Sequence, residues 1–158
     1  MIAFIPYQRF EIKIKLSQDA TREKLADIVE PRQLGWRFSN EHKPFEGELE
    51  INRFKISRVI RYRNSFLPVL VGGIQDDLDA SSLQILARPN WFVIVLWPLL
   101  LLAFFYSTII SADVTSLGLI LLFILFFYGV PTLFFNLELN KAKKLLNEQF
   151  ETERFSLP

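Results

Sequence analysis

Two apolar runs, residues 91–110 and 117–135, stand six residues apart, and neither contains Asp, Glu, Lys, Arg or His. A helix of ~20 uncharged residues rising ~1.5 Å per residue spans the ~30 Å hydrocarbon core of a bilayer. The connector Ser111-Ala112-Asp113-Val114-Thr115-Ser116 is too short to cross back, so the two runs are expected to form a transmembrane helical hairpin with both ends on one side. This divides the 158 residues into an ordinary charged domain (1–90), the hairpin (91–136) and a C-terminal segment (137–158).

Charge placement orients the hairpin. All 18 Lys and Arg lie outside it, 14 in residues 1–90 and four in 137–158, while the connector carries only Asp113. The excess of basic residues on the cytoplasmic side of membrane proteins predicts a multi-pass protein of the inner (plasma) membrane with both termini cytoplasmic. Net charge is +1, which argues against a nucleic-acid partner. The chain has no cysteine, which excludes disulfides, thiolate nucleophiles, Cys-ligated zinc and iron–sulfur clusters. Residues Met1 to Pro6 are too short for a signal-peptide core and lack a basic start, so the hairpin is expected to act as its own insertion signal.

Periodicity outlines the charged domain. Phe10, Ile12, Ile14 and Leu16 alternate with polar residues, the pattern of a half-buried strand. Ser17, Asp19 or Thr21 can cap a short helix whose stripe is Leu25, Ile28 and Val29, and Pro31 stops it at Glu30. Residues 32–44 read as a loop or edge strand. Phe45–Ile51 and Phe54–Ile60 flank a two-residue turn at Asn52-Arg53. Two more β runs, Phe66–Ile74 and Leu83–Ala87, flank a solvated turn at Gln75–Ser82. Pro68 suggests an edge position or a bulge in its run, and Gly72-Gly73 a bulge or bend. After the hairpin, Leu139, Ala142, Leu145, Leu146 and Phe150 recur at three- and four-residue steps. That amphipathic helix is expected to dock on the sheet, because the hairpin returns both pieces to one membrane surface. Pro98 and Pro131 each remove a helical hydrogen bond and are expected to act as helix hinges.

The richest soluble feature is the run Arg53 to Arg63. On an extended chain Arg53, Lys55, Arg61 and Arg63 share one face, with Phe54, Ile56, Ile60 and Tyr62 on the other. Such a face could contact anionic lipid headgroups, at ~1 kcal/mol per cation. It could hold a phosphorylated small molecule, or stand as a solvated surface balanced across strands by Glu46, Glu48 and Glu50. Arg88 and Trp91 stand where interfacial anchors belong. No catalytic constellation emerges. Asp76, Asp77 and Asp79 lack the glycine and terminal glutamate of a calcium loop. His42 is the sole histidine. No nucleophile elbow, phosphate-binding glycine loop or zinc-protease helix occurs. The chain is expected not to be an enzyme and to need no cofactor or metal. The spans hold hydroxyls and rings but no ionisable group, unlike most transporters and proton relays. Gly118 and Gly129 are too far apart for a close-packing pair.

The run from Phe45-Glu-Gly-Glu-Leu-Glu-Ile-Asn-Arg-Phe-Lys-Ile-Ser-Arg to Arg61-Tyr-Arg-Asn-Ser-Phe-Leu-Pro-Val-Leu-Val-Gly-Gly-Ile resembles a group of small, uncharacterised bacterial two-helix membrane proteins. In that group an Arg-Asn-Ser-Phe-x-Pro segment precedes a transmembrane hairpin. The resemblance covers about residues 45–110; Ser81-Ser82 replaces a Gly-Thr pair that such groups keep before the last strand. It implies architecture and no activity. A sheet closed by a C-terminal helix also resembles the pleckstrin-like domains of bacterial membrane proteins. The expected fold is therefore an α+β membrane protein. A cytoplasmic mixed β-sheet with one short helix is followed by the hairpin and by the amphipathic helix packing back on the sheet. The expected function is non-catalytic: a membrane-anchored binding or scaffold module, with the lipid bilayer and a protein partner or homo-oligomer as partners. The alternative is a ligand- or partner-triggered oligomeric effector or channel.

Overall fold

The computed structural model describes residues 6–32, 42–60, 66–77, 80–111, 118 and 122–151. Its centre is a six-stranded mixed sheet. In spatial order the strands are β1 (Gln8–Ile14), β6 (Ala80–Arg88), β5 (Val69–Asp77), β4 (Arg53–Arg58), β3 (Phe45–Leu49) and β2 (Val29–Glu30). All neighbours are antiparallel except β2 and β3. Helix α1 (Gln18–Ile28) follows β1, helix α2 (Trp91–Ser111) follows β6, and α3 (Val130–Glu151) ends the described chain. A π-helical turn, Leu125–Gly129, leads into α3, so Leu122–Phe150 is one helix of 29 residues.

Strand alternation assigns one face of the sheet to the core. Cross-strand neighbours place Ile12, Leu83, Ile74 and Ile85, Gly72, Phe54 on the same side. Helix α1 packs there through Thr21, Leu25 and Ile28, with the Ser17 hydroxyl capping it by accepting from the Ala20 N–H. Helix α3 contributes Phe135, Leu139, Ala142, Leu146 and Phe150 to the same core cluster, a stripe at three- and four-residue steps. The expected docking of the C-terminal helix is present, and Leu145 packs at the rim.

Several local expectations are corrected. The β3–β4 turn is Ile51-Asn52, because the Glu50 N–H donates to the Arg53 carbonyl at 2.8 Å; this register sets Leu49 opposite Phe54. The expected solvated turn Gln75–Ser82 is mostly strand, with Asp76 opposite Ser81. Ser81 is buried under α1, where its hydroxyl meets that of Thr21 at 2.6 Å. Polar composition suggested solvent, but the two hydroxyls satisfy each other. Residues 78 and 79, and with Asp79 part of the acidic cluster, lie outside the described residues. Pro68 precedes a central strand rather than an edge, and the β5 ladder begins one residue later at Val69. Gly72-Gly73 is no bulge, since both residues keep regular pairing on each side. Glycine is needed at 72 because a Cβ there would lie 2.5 Å from the Phe54 ring and from the Gln84 carbonyl oxygen. At Gly47, with φ 155°, a Cβ would lie 2.1 Å from the Lys55 carbonyl oxygen.

Beyond the domain, α2 and the long helix run antiparallel. Trp97 meets Phe127 at 5.3 Å between ring centroids, and Phe104 stacks on Phe123 at 3.8 Å. Their outer surfaces are apolar and exposed, from Trp91, Leu99 and Leu102 to Leu122, Leu125 and Phe126. Among the described residues, Leu122–Phe150 is long and apolar enough by composition to cross a membrane, and the described apolar stretch of α2, Trp91–Tyr106, is shorter. Residues 112–116 of the expected connector lie outside the described residues.

A buried charge cluster fixes α3 to the sheet. The Arg58 guanidinium donates to Glu138, whose carboxylate also accepts from Lys141 Nζ at 2.9 Å. Glu138 is 3% exposed and Arg58 18%. Breaking a buried pair by removing one partner costs on the order of 3–5 kcal/mol, because the remaining charge stays desolvated. We therefore expect Glu138→Ala to lower the melting temperature of the purified protein sharply. Lys141→Ala, which removes the exposed partner, shifts it little. Equal effects of the two substitutions would contradict this assignment.

Candidate functional site

The face of the sheet opposite α1 and α3 carries charges in cross-strand rows. Glu46, Ser57, Val69 and Arg88 lie opposite one another across β3, β4, β5 and β6; Glu48, Lys55, Val71 and Leu86 form the next row. Over these rows, at the foot of α2, opens a cleft of about 510 Å³, a size usual for small-ligand sites. Lys55, Arg88 and Arg32 bring cations to it, and Glu46 and Glu48 bring carboxylates. Ile60, Leu67, Asn90 and Trp91 also line it.

Local structure explains how these side chains converge. Strand β6 ends at Arg88, Pro89 follows, and Asn90 opens α2: its carbonyl accepts from the Val93 and Ile94 N–H groups and its side chain from the Phe92 N–H. The turn between strand and helix thus sets Arg88 beside Trp91, which is 66% exposed. From the opposite side, the β4–β5 connection brings Phe66 to within 5.9 Å of Trp97, between ring centroids. The cleft therefore lies where the charged domain meets the apolar helices.

Of the residues singled out from the sequence, Lys55, Arg88 and Trp91 come together in this cleft. Arg53 is on the same face, but four residues from Ser57, about 13 Å along β4. Arg61 and Arg63 lie outside the described residues. Strand β4 ends at Arg58. Pro98 lies inside α2. Pro131 follows the π-helical turn, which opens the helical hydrogen-bond ladder next to a residue with no N–H to donate.

Three participants were missed. Arg32, Glu46 and Glu48 join the cleft across strand edges that alternation along a single segment does not reveal. The Glu46–Glu48 parity was visible, but only as counter-charge. Arg58 had a readable signal: it shares parity with the buried Phe54 and Ile56, and a cation on an apolar face requires a partner. His42 is a structural contact. Its Nδ1 lies 3.6 Å from the Glu30 carboxylate, which also accepts from the Lys43 N–H. Among the described residues no group of three His, Cys, Asp or Glu side chains is placed to hold a metal ion.

No family model, curated protein or solved structure matches the chain.

On the core side, Lys143 sits 4.4 Å above the Phe10 ring centroid and donates to Gln8 at 3.0 Å. Burial lowers its pKa from the usual 10.5. The folded state then releases this proton before the unfolded chain does, so stability rises with pH in the window just below 10.5. We expect the stability of the protein, measured against Lys143→Met, to be flat near neutrality and to climb as pH approaches that value. A difference that stays flat or falls would overturn the assignment.

Proposed function

We propose that the chain is a non-catalytic integral membrane protein whose α+β domain is a binding module held against the cytoplasmic surface of the plasma membrane. The observation that carries this reading is the continuity of one helix. The residues that expose Leu122, Leu125 and Phe126 lead without a break into those that bury Phe135, Leu139 and Leu146 in the domain core. An apolar surface of that extent, free of charge over α2 and over residues 122–137 of the long helix, favours lipid as its solvent. Helix α2, with 21 residues, extends for about 31 Å, close to a hydrocarbon core. The antiparallel ring contacts suit a hairpin, and the absence of Lys and Arg between residues 89 and 140 favours cytoplasmic termini.

In this reading the hairpin is the anchor and the cleft is what it presents. Trp91 and Arg88 meet the headgroup layer, and the mouth of the cleft opens at that level. A helix shared by span and domain keeps the sheet next to the bilayer. The resemblance to bacterial two-helix membrane proteins fits the same architecture.

The lack of cysteine makes the topology directly testable. Single cysteines at Glu23, Asn147 and Asp113 are reacted with a membrane-impermeant maleimide in right-side-out and inside-out vesicles. Glu23→Cys and Asn147→Cys should label only in inside-out vesicles, and Asp113→Cys only in right-side-out ones. Labelling of Glu23→Cys and Asn147→Cys from opposite sides, or release of the protein by alkaline carbonate, would contradict the reading.

A further inference from the structure

We infer that the cleft binds the headgroup of a zwitterionic aminophospholipid, reading its phosphate with Arg88 and Lys55 and its primary ammonium with Glu46 and Glu48. This deepens the membrane-anchored reading and rests on it.

The lining carries both signs, and it carries them in order. Starting from the foot of α2, Arg88 stands on β6 and Val69 on β5; Ser57 and Lys55 stand on β4, and Glu46 and Glu48 on β3. With strands ~4.8 Å apart and Lys55 two residues along from the row of Arg88, the two are rooted about 12 Å from each other. Each side chain is long enough to reach over Val69 toward a shared oxyanion. A phosphate there would accept charge-assisted hydrogen bonds from a guanidinium and an ammonium, a stronger pairing than neutral groups provide. The carboxylates lie one strand further from Arg88, about 14 Å for Glu46 in the same row and about 16 Å for Glu48 in the next. A headgroup entering past Trp91 would meet the cations first and the acids second. That is the order of groups in a phosphoethanolamine, whose phosphate is nearer the glycerol than its amine.

The same lining disfavours the common alternatives. An anionic headgroup without an amine would leave Glu46 and Glu48 facing a negative ligand, a like-charge arrangement that selects against it. A quaternary ammonium has no N–H to donate to a carboxylate. Ile60, Leu67 and Trp91 in the lining offer apolar surface for the glycerol and the first acyl carbons, which a soluble phosphorylated amine lacks.

The test uses the full chain in detergent, titrated with phosphatidylethanolamine, phosphatidylcholine and phosphatidylglycerol of identical acyl chains, with bound lipid read by native mass spectrometry. Phosphatidylethanolamine should be retained roughly tenfold more than either other lipid, the difference of about one charge-assisted hydrogen bond. Glu46→Gln with Glu48→Gln, both at the surface of the cleft, should abolish that preference while Arg88→Gln weakens all three lipids. Melting temperatures of the variants identify any that fail to fold. Lys55→Gln serves as the second phosphate-side variant, expected to weaken all three lipids as Arg88→Gln does. Equal retention of phosphatidylcholine, stronger retention of phosphatidylglycerol, a preference that survives loss of both carboxylates, or a Lys55→Gln variant that retains all three lipids as the wild type does, would each overturn the proposal. Millimolar O-phosphoethanolamine should not displace the lipid; displacement would assign the cleft to a soluble ligand instead. Failure of these assays with correct cysteine labelling refutes the headgroup assignment alone. Failure of the labelling refutes the anchored reading beneath it.

Discussion

The helix that carries the last apolar stretch also closes the hydrophobic core, and most of the architecture follows from that sharing. Phe135, Leu139, Ala142, Leu146 and Phe150 are as buried as the strand residues they cover. Removing them from water is the largest contribution α3 makes, at ~25 cal/mol per Å² of apolar surface. The Arg58–Glu138 pair then fixes where along the sheet this helix sits. Nonpolar contacts alone tolerate sliding by a turn, whereas a buried ion pair does not. The orientation of α3 follows from that docking.

The two faces of the sheet have been given separate work. One is filled by α1 and α3 and holds the hydroxyl pair Thr21–Ser81 and the glycine at 72 that makes room for Phe54. The other carries the rows ending in Arg88 and Glu46. Because β6 runs directly into α2 through Pro89 and Asn90, the charged rows end where the apolar helices begin. The proposed lipid headgroup, polar at one end and joined to apolar chains at the other, matches such a junction.

How far the sequence could be read depended on whether the information was local. Alternation at Phe10, Ile12 and Ile14 and the stripe from Leu139 to Phe150 were legible because each period is carried by one segment. The β3–β4 turn was misplaced by one residue, since Ile51-Asn52 and Asn52-Arg53 have similar turn chemistry and the choice is made by Phe54 seeking the core opposite Leu49. Ser81 looked solvated for want of knowing that Thr21 would stand over it. The cleft was half legible: Lys55, Arg88 and Trp91 were named from charge and position. Their partners Arg32, Glu46 and Glu48 come from other segments, and only strand order unites them. Arg61 and Arg63, grouped with Arg53 by alternation, lie outside the described residues.

Height above the bilayer is the quantity on which the account turns. Nitroxide labels at Phe105, Ser57 and Gln75, one at a time in reconstituted vesicles, report depth through collision with oxygen and with a polar nickel complex. The account predicts a hydrocarbon environment at 105, a headgroup-level environment at 57, beside the cleft, and bulk water at 75, toward the far end of the sheet. Equal aqueous exposure at 57 and 75, or a polar environment at 105, would contradict it.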